Sequence, residues 1–176
     1  YVHIPFCETK CPYCDFNTYA AIEPLMPEYV AALAAEMKAW AALLDHPQVG
    51  TIFFGGGTPS YLPAGDIETL LSTARGEFEV AGDAEITLES NPGDLDAAKL
   101  ATYREQGINR LSIGVQSFDD GLLAVLGRRH DAATAVSAFE AARSTGFENL
   151  SIDLMFGLPR QTREQWGDTL SQCLSL

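Results

Sequence analysis

The chain has 176 residues, 47% of them hydrophobic, and a formal net charge of -13 from 11 basic and 24 acidic residues. This length and apolar content are enough for one packed domain. The acidic charge argues against general binding of nucleic acid or of an anionic membrane. No apolar run has the length of a transmembrane segment and no signal peptide is recognisable. We therefore expect a cytoplasmic protein whose cysteines stay reduced.

Apolar strand-like runs alternate with amphipathic helical runs along the chain. The predicted strands cover residues 1–6, 50–54, 85–89, 110–115 and 150–156. The predicted helices cover residues 28–44 and 66–75, the stretch between 94 and 107, residues 119–126, a run that ends at 143, and a run that begins after 162. This alternation predicts an α/β domain of five parallel βα units.

The residues at the helix ends support this assignment. Asp94 is predicted to cap the N-terminus of the third helix, and Gly107 to end that helix. Thr162 and Gln165 have the spacing of a capping box. The first strand begins directly at Tyr1 and the last helical pattern runs to the end of the sequence. We therefore expect residues 1–176 to be the N-terminal core domain of a longer protein.

Three cysteines lie close together after the first strand. Cys7, Cys11 and Cys14 have the spacing C-x3-C-x2-C, and residues 7–14 are called the cysteine loop below. Three thiolates on a short loop can hold one metal centre, but a cubane iron–sulfur cluster usually has four. A cluster held by three cysteines has one iron free to bind another molecule, which favours a reactive centre over a structural one.

Two other interpretations of the triad remain open. One is a zinc site in which His3 is the fourth ligand, and this would make the chain a zinc-stabilised binding module. The other is a disulfide, although an odd number of cysteines without a secretory signal is a poor disulfide framework. The fourth cysteine, Cys173, lies in a helical pattern and is predicted to be a small buried side chain.

Polar or glycine-rich residues follow the other four strands. Residues 55–57 are all glycine, which either form a tight turn or let the backbone approach a ligand closely. Glu89, Gln116 and Asp153 occupy the ends of the next three strands. The carboxyl ends of parallel strands meet at one edge of a sheet or barrel, so we expect one common site. Arg128 is either solvated or paired with a ligand carboxylate.

The cysteine spacing, with Tyr13 just before the third cysteine, resembles the cluster loop of the radical SAM superfamily. Further motifs of one branch of that family occur in order. They are residues 1–16, 54–60, 89–92, 110–118 and 152–159. Together they resemble the coproporphyrinogen III dehydrogenase branch, which also contains haem chaperones of the HemW type. The resemblance extends over nearly the whole chain.

The resemblance implies a fold, cofactors and a set of site residues. The implied fold is a partial (β/α)6 barrel, of which this chain includes about five units. The cofactors would be a [4Fe–4S] cluster on Cys7, Cys11 and Cys14 and S-adenosylmethionine (SAM), which the family cleaves to a 5′-deoxyadenosyl radical. The SAM-contacting positions of the branch match Tyr1, Tyr13, Gly56, Gly57, Thr58, Glu89, Gln116, Arg128 and Asp153.

One position distinguishes two functions within the branch. The oxidases have a further cysteine two residues after the third, where this chain has Phe16. The resemblance therefore favours a haem chaperone that binds haem and delivers it to haem proteins, with an electron donor as a further partner. The alternative is an oxygen-independent coproporphyrinogen III oxidase of porphyrin biosynthesis. His3 and His130 are possible haem contacts, but both have the alternative of a purely structural role.

Overall fold

A computed structural model describes residues 1–176. Its seven strands are β1 (Val2–Ile4), β2 (Phe6–Cys7), β3 (Tyr19–Ala20), β4 (Gln48–Gly56), β5 (Glu79–Ser90), β6 (Arg110–Gln116) and β7 (Asn149–Leu154). Its six α-helices are α1 (Met26–Leu43), α2 (Ala64–Glu77), α3 (Ala97–Glu105), α4 (Asp120–Val125), α5 (Ala132–Ser144) and α6 (Arg163–Leu174). No helix is both long enough and apolar enough to cross a membrane.

Five strands form one parallel sheet in the order β1-β4-β5-β6-β7. Every neighbouring pair is parallel, and helices connect the strands, as the alternating pattern predicts. Strands β1 and β7 lie at the two edges, so the sheet is open. The predicted fold, a partial barrel of five βα units, is confirmed.

The register brings the carboxyl ends of the strands to one edge. Ile4 lies beside Gly56, Phe54 beside Leu88, and Ser90 beside Ile113. Strands β2 and β3 form a separate parallel pair that joins the two ends of the segment containing the cysteine loop. Each sequence motif that follows a strand therefore lies on the same side of the domain.

One hydrophobic core of 24 buried residues holds the sheet and helices together. Ile4, Phe54, Leu88 and Leu111 are fully buried and come from four adjacent strands. Full burial of each such side chain stabilises the fold by about 1.5–3 kcal/mol. The core therefore fixes the strands, and the strands fix the positions of the side chains at their ends.

The predicted cap of the third helix is wrong by two residues. Asp96 is the N-cap, because its side chain accepts a hydrogen bond from the backbone N–H of Lys99 at 2.8 Å. Asp94 instead lies in a short 3-10 turn that Pro92 begins. The sequence offers two aspartates with suitable spacing, and the turn decides between them. Gly107 has a φ of 90° and ends α3 as predicted.

Several predicted strand boundaries and one burial prediction also differ, and the predicted first strand, residues 1–6, is divided between β1 and β2. Strand β5 begins at Glu79, earlier than predicted, because an exposed polar extension pairs with the start of β4. Strand β7 ends at Leu154, and Phe156 is 78% exposed. Cys173 is only partly buried, since most of the surface of α6 faces outward. The capping box of Thr162 and Gln165 is present.

Candidate functional site

The carboxyl ends of the strands surround a cavity of about 570 Å³. Apart from Tyr1, all of the predicted site residues line it: Cys7, Cys11, Tyr13, Cys14, Gly56, Gly57, Thr58, Glu89, Gln116, Arg128 and Asp153. Tyr1 lines a smaller neighbouring cavity of about 160 Å³, which also touches Gly56 and Glu89. The structure therefore brings the residues predicted from separate motifs to one place.

The three cysteines of the cysteine loop lie at one side of this cavity. Cys7 is buried, and its Sγ is 3.4 Å from Thr58 Oγ1. The backbone N–H of Cys14 donates to the carbonyl of Cys11 at 3.0 Å, which closes a tight turn. All of the thiols are free, so the disulfide interpretation is not supported. Three thiols of one loop at one cavity could supply three of the four thiolates that usually hold a cubane cluster.

The three sulfur atoms are not arranged as a complete set of ligands for one metal ion. No group of three His, Cys, Asp or Glu side chains is arranged so that it could hold one ion. His3 is engaged elsewhere, because Nδ1 bonds with Tyr1 Oη and Nε2 with the carbonyl of Asn17, both at 2.9 Å. The zinc interpretation therefore gains no support from His3, and the assignment of three cluster ligands stays a prediction.

The glycine run packs the end of β4 closely against β1 and β2. A Cβ at Gly57 would lie 2.7 Å from the carbonyl oxygen of Phe6. Gly56 has a φ of 114°, and a Cβ there would lie 2.5 Å from the ring of His3. These glycines are thus required by packing as well as by any ligand. Their backbone still forms part of the cavity wall.

Glu89 and Asp153 place two carboxyl groups in the cavity. Burial raises the pKa of Glu89, the hydrogen bond from the N–H of Gly56 opposes this, and the charge of Asp153 raises the pKa further. Burial also raises the pKa of Asp153, against the hydrogen bond from Ser112 and the charge of Arg110. Both carboxylates are incompletely solvated, so donors such as ribose hydroxyls or an ammonium group would stabilise them.

Arg128 connects β6 with the cysteine loop. Its Nη2 donates to the carbonyl of Gly114 at 2.6 Å, and its Nη1 lies 3.7 Å from Cys11 Sγ and 3.3 Å from Tyr13 Oη. Its Nε is buried without a partner. The positive charge of this guanidinium therefore lies beside one of the three predicted cluster ligands. The unpaired Nε leaves one donor of this group unused.

Gln116 ends β6 in a strained conformation. Its φ is 70°, which a residue with a side chain rarely adopts. Its carbonyl accepts a hydrogen bond from the N–H of Met155 at 2.9 Å, after a shift in the β6–β7 register. Strain of this kind costs on the order of 1–3 kcal/mol and is concentrated at functional sites. It is consistent with the predicted role of Gln116 in the site.

Several residues that line the cavity were not predicted from the sequence, among them Ser112, Lys10 and Arg129. Ser112 donates to the carboxylate of Asp153 at 3.1 Å, and Lys10 binds the carbonyls of the segment that follows the cysteine loop. Arg129 lines the cavity beside Arg128. The position of Ser112 could have been found, because it precedes Gln116 by four residues on the same face of a strand.

His130 has a structural environment. It is buried, and its Nε2 lies 3.0 Å from the carbonyl of Val115. Burial lowers its pKa to about 4, and the charge of Arg128 acts in the same direction. His130 does not line the cavity. Its role as a haem contact is therefore not supported, while His3 lines the smaller cavity.

Comparisons with known proteins agree with the fold and the motifs. The family model described as the radical SAM superfamily matches residues 1–173. Proteins named heme chaperone HemW are similar to this chain, with 45% identity over 177 residues in Bacillus subtilis and 43% over 178 residues in Escherichia coli. Each alignment covers 100% of this chain and 47% of the relative. The chain thus spans about half the length of these curated relatives.

Solved structures show the same architecture. Coproporphyrinogen III oxidase (HemN) from Escherichia coli has a TM-score of 0.92 and 35% identity, over 99% of this chain and 40% of that one. Elp3 from Methanocaldococcus infernus has a TM-score of 0.63 at 18% identity, over 85% of this chain and 39% of that one. The second likeness shows the fold alone, whereas the first supports the branch that the motifs predict. The chain belongs to the radical SAM superfamily.

Proposed function

We propose that this chain is the cofactor-binding core of a haem chaperone that holds a [4Fe–4S] cluster and SAM. The observation that carries the proposal is the convergence of Cys7, Cys11 and Cys14 with Glu89 and Asp153 on one cavity. Free thiols, a neighbouring guanidinium and incompletely solvated carboxylates fit such a pair of cofactors. We propose haem as the cargo because the similar proteins are named heme chaperone HemW.

The chain's own residues would divide the work of binding. Cys7, Cys11 and Cys14 would hold the cluster, and the backbone of Gly56 and Gly57 with Thr58 would meet the methionine end of SAM. Glu89, Gln116 and Asp153 would contact its adenosine. The edge of the SAM site would be formed by Arg128, Tyr1 and Tyr13. A bound cluster and SAM together supply one-electron chemistry, and the protein contributes orientation and exclusion of water.

Coproporphyrinogen III oxidation is the second candidate, because the E. coli oxidase shares the fold with a TM-score of 0.92. Phe16 argues against it. This residue stands where the oxidases of the branch are expected to have a further cysteine, and its side chain is 69% exposed beside the cavity. A phenyl ring cannot supply a thiolate. The remaining partners we propose are an electron donor and haem-requiring acceptor proteins, in the cytoplasm.

The test uses the intact protein, reconstituted with iron and sulfide without oxygen. Haem is titrated and followed by its absorbance, and a parallel sample receives SAM, a reductant and coproporphyrinogen III. We expect stable haem binding and no product of decarboxylation by mass spectrometry. Loss of two CO2 from each porphyrinogen would favour the oxidase instead. A protein that binds zinc but no iron–sulfur cluster would refute both.

A further inference from the structure

Three successive residues, 127–129, contact the cysteine loop, and we call this segment the clasp. Gly127 has a φ of 64°, and a Cβ there would lie 2.9 Å from Cδ of Pro12. Arg128 lies 3.7 Å from Cys11 Sγ, and Arg129 forms an ion pair with Glu8. The clasp thus meets the cysteine loop near its beginning and again at its middle.

The clasp is also attached to the body of the domain. Arg129 Nη2 is 2.9 Å from Asp94 Oδ1, and the side chain of Asp94 is only 7% exposed. The other carboxylate oxygen, Oδ2, accepts a hydrogen bond from Ser60 Oγ at 2.9 Å. Ser60 Oγ in turn accepts from the backbone N–H of Asn91, at the end of β5. One guanidinium therefore links the cysteine loop to the strand ends.

The charges favour this link. Burial acts to lower the pKa of Arg129, but the hydrogen bond and charge of Asp94, with the charge of Glu8, raise it overall. The guanidinium thus stays charged while it is 19% exposed between two carboxylates. Charge-assisted hydrogen bonds in partly buried positions are about twice as strong as neutral ones.

Apart from the pairing of Cys7 on β2 with Ala20 on β3, the cysteine loop has few other attachments. Within it, the turn from Cys11 to Cys14 is a local backbone hydrogen bond. Lys10 bonds to the carbonyls of Phe16 and Thr18, which belong to the same excursion of the chain. Cys7 Sγ and Thr58 Oγ1 form one contact with the body of the domain. The position of the cysteine loop at the cavity must therefore depend strongly on the clasp.

We propose that Arg129 is a positioning residue, which holds the cysteine loop at the strand ends by bridging Glu8 and Asp94. This inference rests on the proposed function, because its consequence is the retention of the cluster on that loop. Arg129 does not touch the predicted ligands itself. It acts through the backbone that carries Cys7 and Cys11.

The test measures how fast an iron chelator removes iron from the reconstituted intact protein. The key variant is Glu8→Gln, because Glu8 is 50% exposed and its loss leaves the buried pair of Arg129 and Asp94 intact. We expect Glu8→Gln and Arg129→Gln each to lose iron at least threefold faster than the wild type. We expect the double variant to be no faster than Arg129→Gln, since both changes break one link.

Matched controls remove the same charges elsewhere. Arg75→Gln removes a guanidinium that binds only the carbonyl of Gln106, and Glu68→Gln removes a carboxylate that binds only Ser72. Both lie on α2, and neither should change the rate. A second readout is the paramagnetic resonance spectrum of the reduced cluster with and without SAM. We expect the change that SAM causes in this spectrum to differ between Arg129→Gln and the wild type. Arg129→Lys should restore part of the wild-type change.

The outcomes separate the two proposals. If the wild type keeps a cluster while Glu8→Gln and Arg129→Gln match it in rate and spectrum, the positioning role is refuted and the proposed function stands. If the fold increases in the rate of iron loss of the two single variants multiply in the double variant, the common link is refuted. A wild type that takes up no iron–sulfur cluster overturns both proposals.

Discussion

The carboxylate of Glu89 on β5 accepts a hydrogen bond from the backbone N–H of Gly56 on β4, with Oε2 and the nitrogen 3.1 Å apart. This bond joins the glycine run to a side chain predicted to bind SAM. It leaves the other carboxylate oxygen, Oε1, available to a ligand. Glu89 therefore has a structural role beside its predicted role in binding, and its substitutions must be chosen to separate the two.

Glu89→Gln should weaken SAM binding without removing the cluster. The amide keeps an oxygen for the N–H of Gly56 but loses the charge. A hydrogen bond to a charged group contributes about 1.5–3 kcal/mol, and about 1.4 kcal/mol is a factor of ten. We expect the dissociation constant for SAM to rise about tenfold, measured by equilibrium dialysis on the reconstituted protein. The control is Glu79→Gln at the exposed start of β5. Unchanged affinity in Glu89→Gln would refute the assigned role.

Cys11→Ser should abolish the cluster, and Cys173→Ser should leave it intact. Cys11 lines the cavity, whereas Cys173 is on α6 and does not. A cubane cluster contains about four irons. We expect this iron content and the brown absorbance in the wild type and in Cys173→Ser, and neither in Cys11→Ser. Loss of iron from Cys173→Ser would show that the ligands were chosen wrongly.

The sequence was sufficient to predict the parallel βα arrangement and the convergence of the site, because both follow from local patterns. Alternation of strands and helices predicts parallel neighbours, and parallel strands bring their carboxyl ends together. Glu89, Gln116 and Asp153 could be assigned to one cavity before any of their contacts was known. What they share is a position at a strand end, which is visible in the sequence.

Contacts between distant segments could not be predicted in the same way. The bridge from Glu8 through Arg129 to Asp94 joins three loops that are far apart in the chain. Asp94 was instead predicted to cap α3, since its spacing suits that role as well as the spacing of Asp96 does. The strained φ of Gln116 coincides with a register shift between β6 and β7, which no sequence pattern indicates.

Gly57→Ala should destabilise the domain through its contact with the first strands. The added Cβ would lie 2.7 Å from the carbonyl oxygen of Phe6 and 2.9 Å from that of Ile4, and both are backbone atoms that cannot turn aside. Overpacking of this kind costs about 1–3 kcal/mol. We expect a lower midpoint of urea denaturation, with the slope unchanged.

Gly65→Ala is the matched control for that substitution. Gly65 lies in the first turn of α2, and no atom lies within 4 Å of the added Cβ. Alanine is the better helix former, so stability should rise by about 0.5 kcal/mol. The two glycine substitutions should therefore have opposite signs. Equal effects would show that the close approach at Gly57 is not what requires glycine.

The buried imidazole of His130 should make the domain less stable in acid. Its pKa is lowered in the folded protein from the ordinary 6.5 to about 4, first by burial and then by the charge of Arg128. Between these pH values the unfolded chain binds a proton that the folded protein does not. The contribution of His130 to stability is therefore complete above pH 6.5 and is lost as the pH falls to about 4.

Substitution of His130 isolates this contribution. One pKa unit corresponds to about 1.4 kcal/mol, so the loss between about pH 6.5 and pH 4.5 is on the order of 2–3 kcal/mol. His130→Gln keeps a donor for the carbonyl of Val115 but does not titrate. The free energy of unfolding should fall between pH 7 and pH 4.5 by less in His130→Gln than in the wild type, as measured by urea denaturation. His46→Gln is the control, because His46 is exposed. Parallel pH profiles of the wild type and His130→Gln would mean that the imidazole is not the titrating group.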